Sequence, residues 1–236
     1  IIIKKIFDFI YSNLKASSEE FFLKNVKTYK IRINENSKKE YKLYTIKKAR
    51  VYSDLSQNVA IIKEGLIINH LSTQIVNLHL ADINKNKILK TGTRKFIQKK
   101  LTGNTLSFVQ GASAINNYGH WMLDILPKFC ISQKHQNLDG YDYIYLPNIE
   151  QKFQIDSLKY LNIDFNKVID GSKFHHIYAE KLSIPQHPYW KLNEFQMDSV
   201  GNVDPDIIHW LRSTFLKNKN TYKIKKKLFI DRSDSN

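Results

Sequence analysis

Apolar positions along this chain change their period twice. Over residues 3–14, Ile3, Ile6, Phe7, Ile10 and Leu14 fall at helical spacing on one face, which predicts an amphipathic helix. From Thr28 to Gln110 the apolar runs are short and β-like: Tyr29–Ile33, Val59–Ile62, Leu66–Ile68, and the alternating Val76, Leu78 and Leu80. Breaks at Lys63-Glu64-Gly65 and Asn84-Lys85-Asn86 make this stretch read as a meandering antiparallel sheet. A basic run from Arg94 to Lys100 then reads as solvated surface.

Past Gln110 strands and helices alternate. Leu106–Val109 predicts a strand feeding the loop Gly111–Ala114 and a helix; Tyr143–Leu146 is a buried strand ended by Pro147. Residues 150–161 suit a helix through Ile155, Leu158 and Leu161, and Lys167–Ile169 and Leu182–Ile184 suit further strands. Asp204-Pro205-Asp206 is a helix start: a capping carboxylate, a proline at the first helical position, and an acid at the positive dipole end. That helix turns Ile207, Trp210, Leu211 and Phe215 inward, and Leu228–Ile230 opens one more strand. The alternation predicts a parallel α/β sheet. The expected division is an N-terminal helix over 1–27, a β-rich lead-in over 28–110, an α/β domain over 111–222, and the start of another domain over 223–236.

The helix after Gln110 carries the densest chemistry. In Asn116–Phe129, Asn117, His120, Asp124 and Lys128 fall on one helical face, beside an apolar row of Met122, Ile125, Leu126 and Phe129. A carboxylate one turn from an imidazole can orient it, fix its tautomer and raise its basicity, as general-base chemistry requires. The alternative is a helix with a satisfied polar face. Pro127 removes a backbone donor and crowds Leu123, so the helix should bend just beyond Asp124. Asn117 has two readings, a helix cap or a ligand for a substrate hydroxyl. Trp121 also has two, a core residue or a flat platform for a sugar ring.

Charge narrows the partners. With 37 basic and 22 acidic residues the formal charge is +15, which fits an anionic partner or a composition rich in Lys, Ile and Asn. Aromatics are not interleaved with the basic residues and no recognised module is visible, so no nucleic-acid partner is expected. His175-His176 would point to opposite faces of a strand, and His187 stands alone, so no metal site is expected. No glycine-rich phosphate loop is present. Asp231-Arg232-Ser233 after a strand offers a fixed cation and hydroxyls for a phosphate, or else a surface turn.

Cys130 is the only cysteine, so no intrachain disulfide can form and a reduced, cytoplasmic setting fits. No apolar run approaches the roughly 20 residues of a membrane span. The N-terminal stretch, interrupted by Lys4 and Lys5, is no secretory signal; its helix packs on its own domain or rests on the inner face of a membrane as a peripheral contact. The chain begins without Met and stops after a predicted strand, and so reads as part of a longer protein.

With those residues in view, the chain resembles glycosyltransferase family 61, the capsular polysaccharide biosynthesis type. The resemblance rests on Asn117, His120-Trp121, Asp124 and Leu126-Pro127-Lys128. It extends upstream through Val59 to Asn69, and downstream through Leu158–Ile163, Lys181–Pro185 and the helix after Asp204, to Leu228–Arg232. It implies a Rossmann-like N-terminal domain of a GT-B type enzyme, truncated before its second domain. The implied activity is inverting, metal-independent and without a cofactor. A hexosyl or pentosyl group would pass from a nucleotide-sugar donor to a cell-surface or capsular glycan acceptor, with the fragment inactive alone. His120 and Asp124 are the expected catalytic pair, with the base unassigned between them. Asn117, Trp121 and Arg232 are the expected substrate contacts, Arg232 on the donor diphosphate. The alternative is a basic nucleic-acid-binding or non-catalytic structural protein.

Overall fold

A run of consecutive apolar residues such as Tyr143–Leu146 is stable only with both of its faces covered, and the sheet buries it on both sides. Ile144 and Leu146 join one apolar cluster with residues from the helices after Gln110, while Tyr145 joins a second cluster with Val51 and Ile177. The computed structural model describes residues 11–12, 14–54, 58–76, 79–80, 93–94, 97–110, 116–191, 196–197 and 203–216. Its N-terminal strands are β1 (Tyr11–Ser12), β2 (Lys15–Ala16), β3 (Val26–Ile31), β4 (Tyr41–Ser53), β5 (Asn58–Lys63), β6 (Leu66–Ile67), β7 (Thr73–Val76), β8 (His79–Leu80) and β9 (Thr93–Arg94). Then come β10 (Lys99–Ser107), β11 (Tyr143–Leu146), β12 (Val168–Asp170), β13 (His176–Pro185), β14 (Trp190–Lys191) and β15 (Gln196–Met197). The helices are α1 (Glu19–Asn25), α2 over residues 118–133, α3 (Lys152–Tyr160) and α4 (Pro205–Phe215).

The fold is mixed α/β. Among the described residues, eleven strands share one sheet, with the order β12-β11-β10-β13-β4-β5-β6-β2 and with β3, β7 and β8 paired off that path. The first four of that order run parallel to their neighbours, and β4 turns the sheet antiparallel. Long β4 is the joint between the halves: nine of its residues, from Leu43 to Tyr52, pair with β13. Its other edge pairs with β3 through Tyr41–Ile46 and with β5 through Arg50–Ser53. Helices α2, α3 and α4 cover one face, contributing Trp121, Ile125, Phe129, Leu158, Ile207 and Leu211 to the cluster that holds Leu106 and Ile144.

The antiparallel lead-in is present as β3, β4 and β5, and the later strands and helices fall where the alternation puts them. Two expectations change. Among the described residues of the span expected as an N-terminal helix, only Glu19–Asn25 is helical, capped by Ser18, while Tyr11–Ser12 and Lys15–Ala16 pair as strands with β9 and β6. Leu14 packs with Ala60, Ile62 and Ile67, so burial on the sheet holds this described part of the stretch. In the basic run, Lys99 and Lys100 open β10 with Lys99 half-buried and Lys100 exposed. The lead-in is not set apart from the α/β part, since one sheet runs through both. Residues 1–10, the loop Gly111–Ala114, Leu78, the strand Leu228–Ile230 and Arg232 lie outside the described residues.

The cap at α4 forms as the sequence predicts and does more than cap. Asp204 Oδ1 accepts the Asp206 N–H at 2.9 Å, while Oδ2 accepts the buried Tyr41 hydroxyl at 2.8 Å from the start of β4. Ser37 adds a 2.6 Å bond to Asp206. Replacing Asp204 removes a cap and leaves a buried phenol without its acceptor. Asp204→Ala should therefore cost about 2–4 kcal/mol, and Tyr41→Phe only about 1 kcal/mol. Urea unfolding checks the pair; equal small losses would contradict the double role.

Candidate functional site

The chain leaves β10 toward α2 and β11 on one side, while β13 lies on β10's other side. Open α/β sheets bind ligands outside the carboxyl ends of strands at such a reversal of order. Two segments reach this place: residues 108–110 and 116–128 after β10, and residues 186–189 after β13.

Local chemistry fixes the first segment. Asn116 sits at φ 52°, and its side-chain oxygen accepts from Asn148 Nδ2 at 3.0 Å and Gln151 Nε2 at 3.2 Å, tying the helix entry to the end of β11. Asn117 caps the helix by accepting the His120 N–H at 3.1 Å. Helix α2 then runs as an α turn (Tyr118–His120), a π turn (Trp121–Ile125) and an α-helix (Leu126–Gln133). The bend expected at Pro127 is taken up as this wider turn. Pro127 has no N–H to give Leu123, and the Leu126 N–H reaches back five residues to the Trp121 carbonyl.

The polar row does not face solvent. Asp124 and Lys128 are fully buried, whereas the His120 side chain keeps 39 % of its surface exposed. Asp124 Oδ2 accepts from His120 Nδ1 at 2.8 Å, and Oδ1 accepts from the Tyr189 hydroxyl. His187 Nε2 lies 3.9 Å from Oδ2, and its ring packs edge-on against Tyr189 at 4.6 Å. Lys128 Nζ donates to the carbonyls of Phe108, at 3.0 Å, and Gln110, clamping the end of β10. The 186–189 segment is fastened to β4 and its approach: Lys39 Nζ donates to the Pro188 carbonyl at 2.9 Å, and Gln186 bonds the Lys42 backbone in both directions.

These contacts divide the proton affinities. Hydrogen bonding to Asp124, aided by its charge and opposed by burial, raises the pKa of His120. Burial, with the Lys128 and His120 charges, pushes His187 well below the usual imidazole range. Burial also lowers Lys128 to about 7 against the pull of Asp124. Burial and the neighbouring Asp124 raise the Tyr189 phenol, so it remains a donor. One buried carboxylate thus holds two imidazoles, one easily protonated and half-exposed, the other neutral and enclosed. With Nδ1 engaged, Nε2 is the His120 nitrogen left to meet a substrate.

His120 and Asp124 are together, and Asn117 is at the helix start as their cap. Trp121 is core: its ring is buried and its indole N–H donates to Ser157 Oγ of α3 at 2.8 Å. His175 lies just before β13, at the opposite end of that strand from His187, with its Nδ1 on the Ser53 carbonyl at 3.0 Å. Among the described residues no group of three or more His, Cys, Asp or Glu is arranged to hold a metal ion. Among them, also, no helix is long and apolar enough to cross a membrane.

Sequence reasoning missed Tyr189 and the part played by His187. It also missed Gln110, a buried residue whose side-chain amide makes no hydrogen bond among the described residues. Such an unmet amide costs about 1–3 kcal/mol, and it stands beside Lys128 at the end of β10. The only signal for the His187 pair was an aromatic and an imidazole just past a strand end, and the strand order that makes this meaningful is not local. Comparison with models of known protein families, with curated proteins and with solved structures found no match.

The two imidazoles should pull stability in opposite directions with pH. His187 has a lowered folded pKa, so the unfolded state takes up its proton first, and stability is lost as pH falls below the unfolded value of about 6.5. His120 has a raised folded pKa; its contribution is complete below about 6.5 and fades as pH rises through the folded value. His187→Gln should therefore shrink the stability lost between about pH 7.5 and about pH 5, measured by urea unfolding at each pH. An unchanged loss would contradict a neutral, buried His187.

Proposed function

We propose that this chain is the acceptor-side part of an inverting sugar transferase, in which His120 is the base and Asp124 its positioning partner. One observation carries the choice between them. Asp124 has no exposed surface and both of its oxygens are engaged, whereas the His120 ring is open to solvent. The acceptor hydroxyl gives its proton to His120 Nε2 as its oxygen bonds the anomeric carbon. The anomeric carbon–oxygen bond breaks, and the nucleoside diphosphate leaves with that electron pair, so configuration inverts. Asp124 holds the Nδ1–H tautomer and stabilises the imidazolium that forms, the division of labour of acid–imidazole pairs on other folds.

Three further features support the reading. The order β12-β11-β10-β13 matches the 3-2-1-4 part of a Rossmann strand order, which suits a GT-B domain. The Asn117, His120-Trp121 and Asp124 spacing is that of glycosyltransferase family 61. The unmet Gln110 amide at the strand end suits the hydroxyls of a sugar. In this reading Arg232 contacts the diphosphate of the donor nucleotide-sugar. The setting is cytoplasmic, with peripheral contact at the inner membrane face.

The test is transfer from UDP-, GDP- and CMP-sugars to a surface-glycan acceptor by the full-length protein. His120→Ala and Asp124→Asn should each lower turnover about 10²-fold or more. His120→Gln, at a half-exposed position, guards against loss by misfolding. Undiminished transfer in all three would remove the pair from the mechanism.

A further inference from the structure

At the other end of α2 lies a groove of about 910 Å³ with a one-sided charge. Lys24, Lys27, Lys47, Lys63 and Lys181 line it, and among the described residues no carboxylate does. Lys63 is balanced by Glu64 at 3.1 Å, whereas Lys24, Lys27, Lys47 and Lys181 make no ion pair among the described residues. Lys47 and Lys181 stand directly opposite in the antiparallel β4–β13 register. Like charges facing across a ladder destabilise it, and neither lysine makes an ion pair among the described residues.

The field of these lysines reaches their neighbours. Lys27 lies 4.7 Å over the Tyr29 ring, and its hydrogen bond and charge, joined by Lys181, draw the Tyr29 phenol below its ordinary pKa. His135, stacked on Tyr29 at 4.3 Å just past the end of α2, is lowered by burial and then by Lys181 and Lys27. A concave surface with several uncompensated ammonium groups attracts anions.

We infer that this groove binds an acidic glycan, a chain of sugars carrying carboxylates, at a distance from the reacting hydroxyl. Four ammonium groups without an ion pair among the described residues match repeated carboxylates, and the Thr28 and Thr45 hydroxyls that also line the groove match sugar hydroxyls. A single-stranded nucleic acid would need aromatic faces for stacking. Tyr29, the one aromatic among the described lining residues, is already covered by Lys27 and His135. From His120 to His135 the helix spans about 20 Å, so a bound chain several sugars long connects groove and base. Affinity gained there holds the acceptor while its end reacts. This inference rests on the transferase reading for the role of the bound glycan, but not for binding itself.

The experiment is calorimetry of the full chain with a galacturonic acid hexasaccharide, maltohexaose and a single-stranded oligonucleotide. Lys47→Glu places an anion opposite Lys181, so the fold should hold or gain in Tm. It should nevertheless weaken hexasaccharide binding about tenfold or more. Lys159→Glu, an equal charge change at an exposed position outside the groove, should leave binding unchanged. Maltohexaose should bind far more weakly than the acidic sugar. Equal losses in both variants would show a net-charge effect and overturn the groove. Tighter binding of the oligonucleotide, or no preference over maltohexaose, would overturn the acidic-glycan assignment. If hexasaccharide binding fails while His120→Ala still abolishes transfer, this inference falls alone; the reverse result leaves it standing without the transferase.

Discussion

A carboxylate removed entirely from water must be met on both oxygens, or its burial costs several kcal/mol. Asp124 is such a group, and much of the structure near the sheet's reversal point answers to it. The π turn in α2 sets it at the strand ends, four residues from His120. The segment after β13 brings Tyr189 and His187 to it, and bonds from Lys39 and Lys42 hold that segment in place. Lys128, also buried, ties the last carbonyls of β10 to the same helix. Two strands that neighbour each other but lie far apart in sequence thus meet around one anion.

Local chemistry was readable from the sequence because it depends on neighbours a few residues away. The His120–Asp124 bond, the Asn117 cap and the Asp204 cap are all set by spacings of two to four residues, and each forms. Pro127 announced a disturbed helix, although its form, a widened turn rather than a simple kink, depends on how the Leu126 donor finds a carbonyl. The burial of Lys128 was not legible, because a lysine at the end of a polar row reads as solvated until the strand beneath it is known.

Long-range pairing accounts for the rest. Tyr189 is 65 residues from its acceptor, and no local pattern joins them. The β4–β13 seam, which makes one sheet of two differently patterned halves, comes from register and not from composition. The same seam sets Lys47 against Lys181 and so creates the basic groove. Edge pairing at Tyr11–Ser12 and Lys15–Ala16 likewise depends on strands far along the chain, which no local pattern announces.

Helix α2 links the two surfaces, with a proton-accepting pair at one end and a cationic groove at the other. Whether the pair can work as a base turns on one atom, the His120 Nε2. Nitrogen-15 NMR of the histidine side chains reads its state directly. The result expected is a neutral ring carrying its proton on Nδ1, with a pKa above the ordinary value of about 6.5, both lost in Asp124→Asn. A ring protonated on Nε2, or a pKa at or below that value and indifferent to Asp124→Asn, would contradict the assignment of His120 as the base.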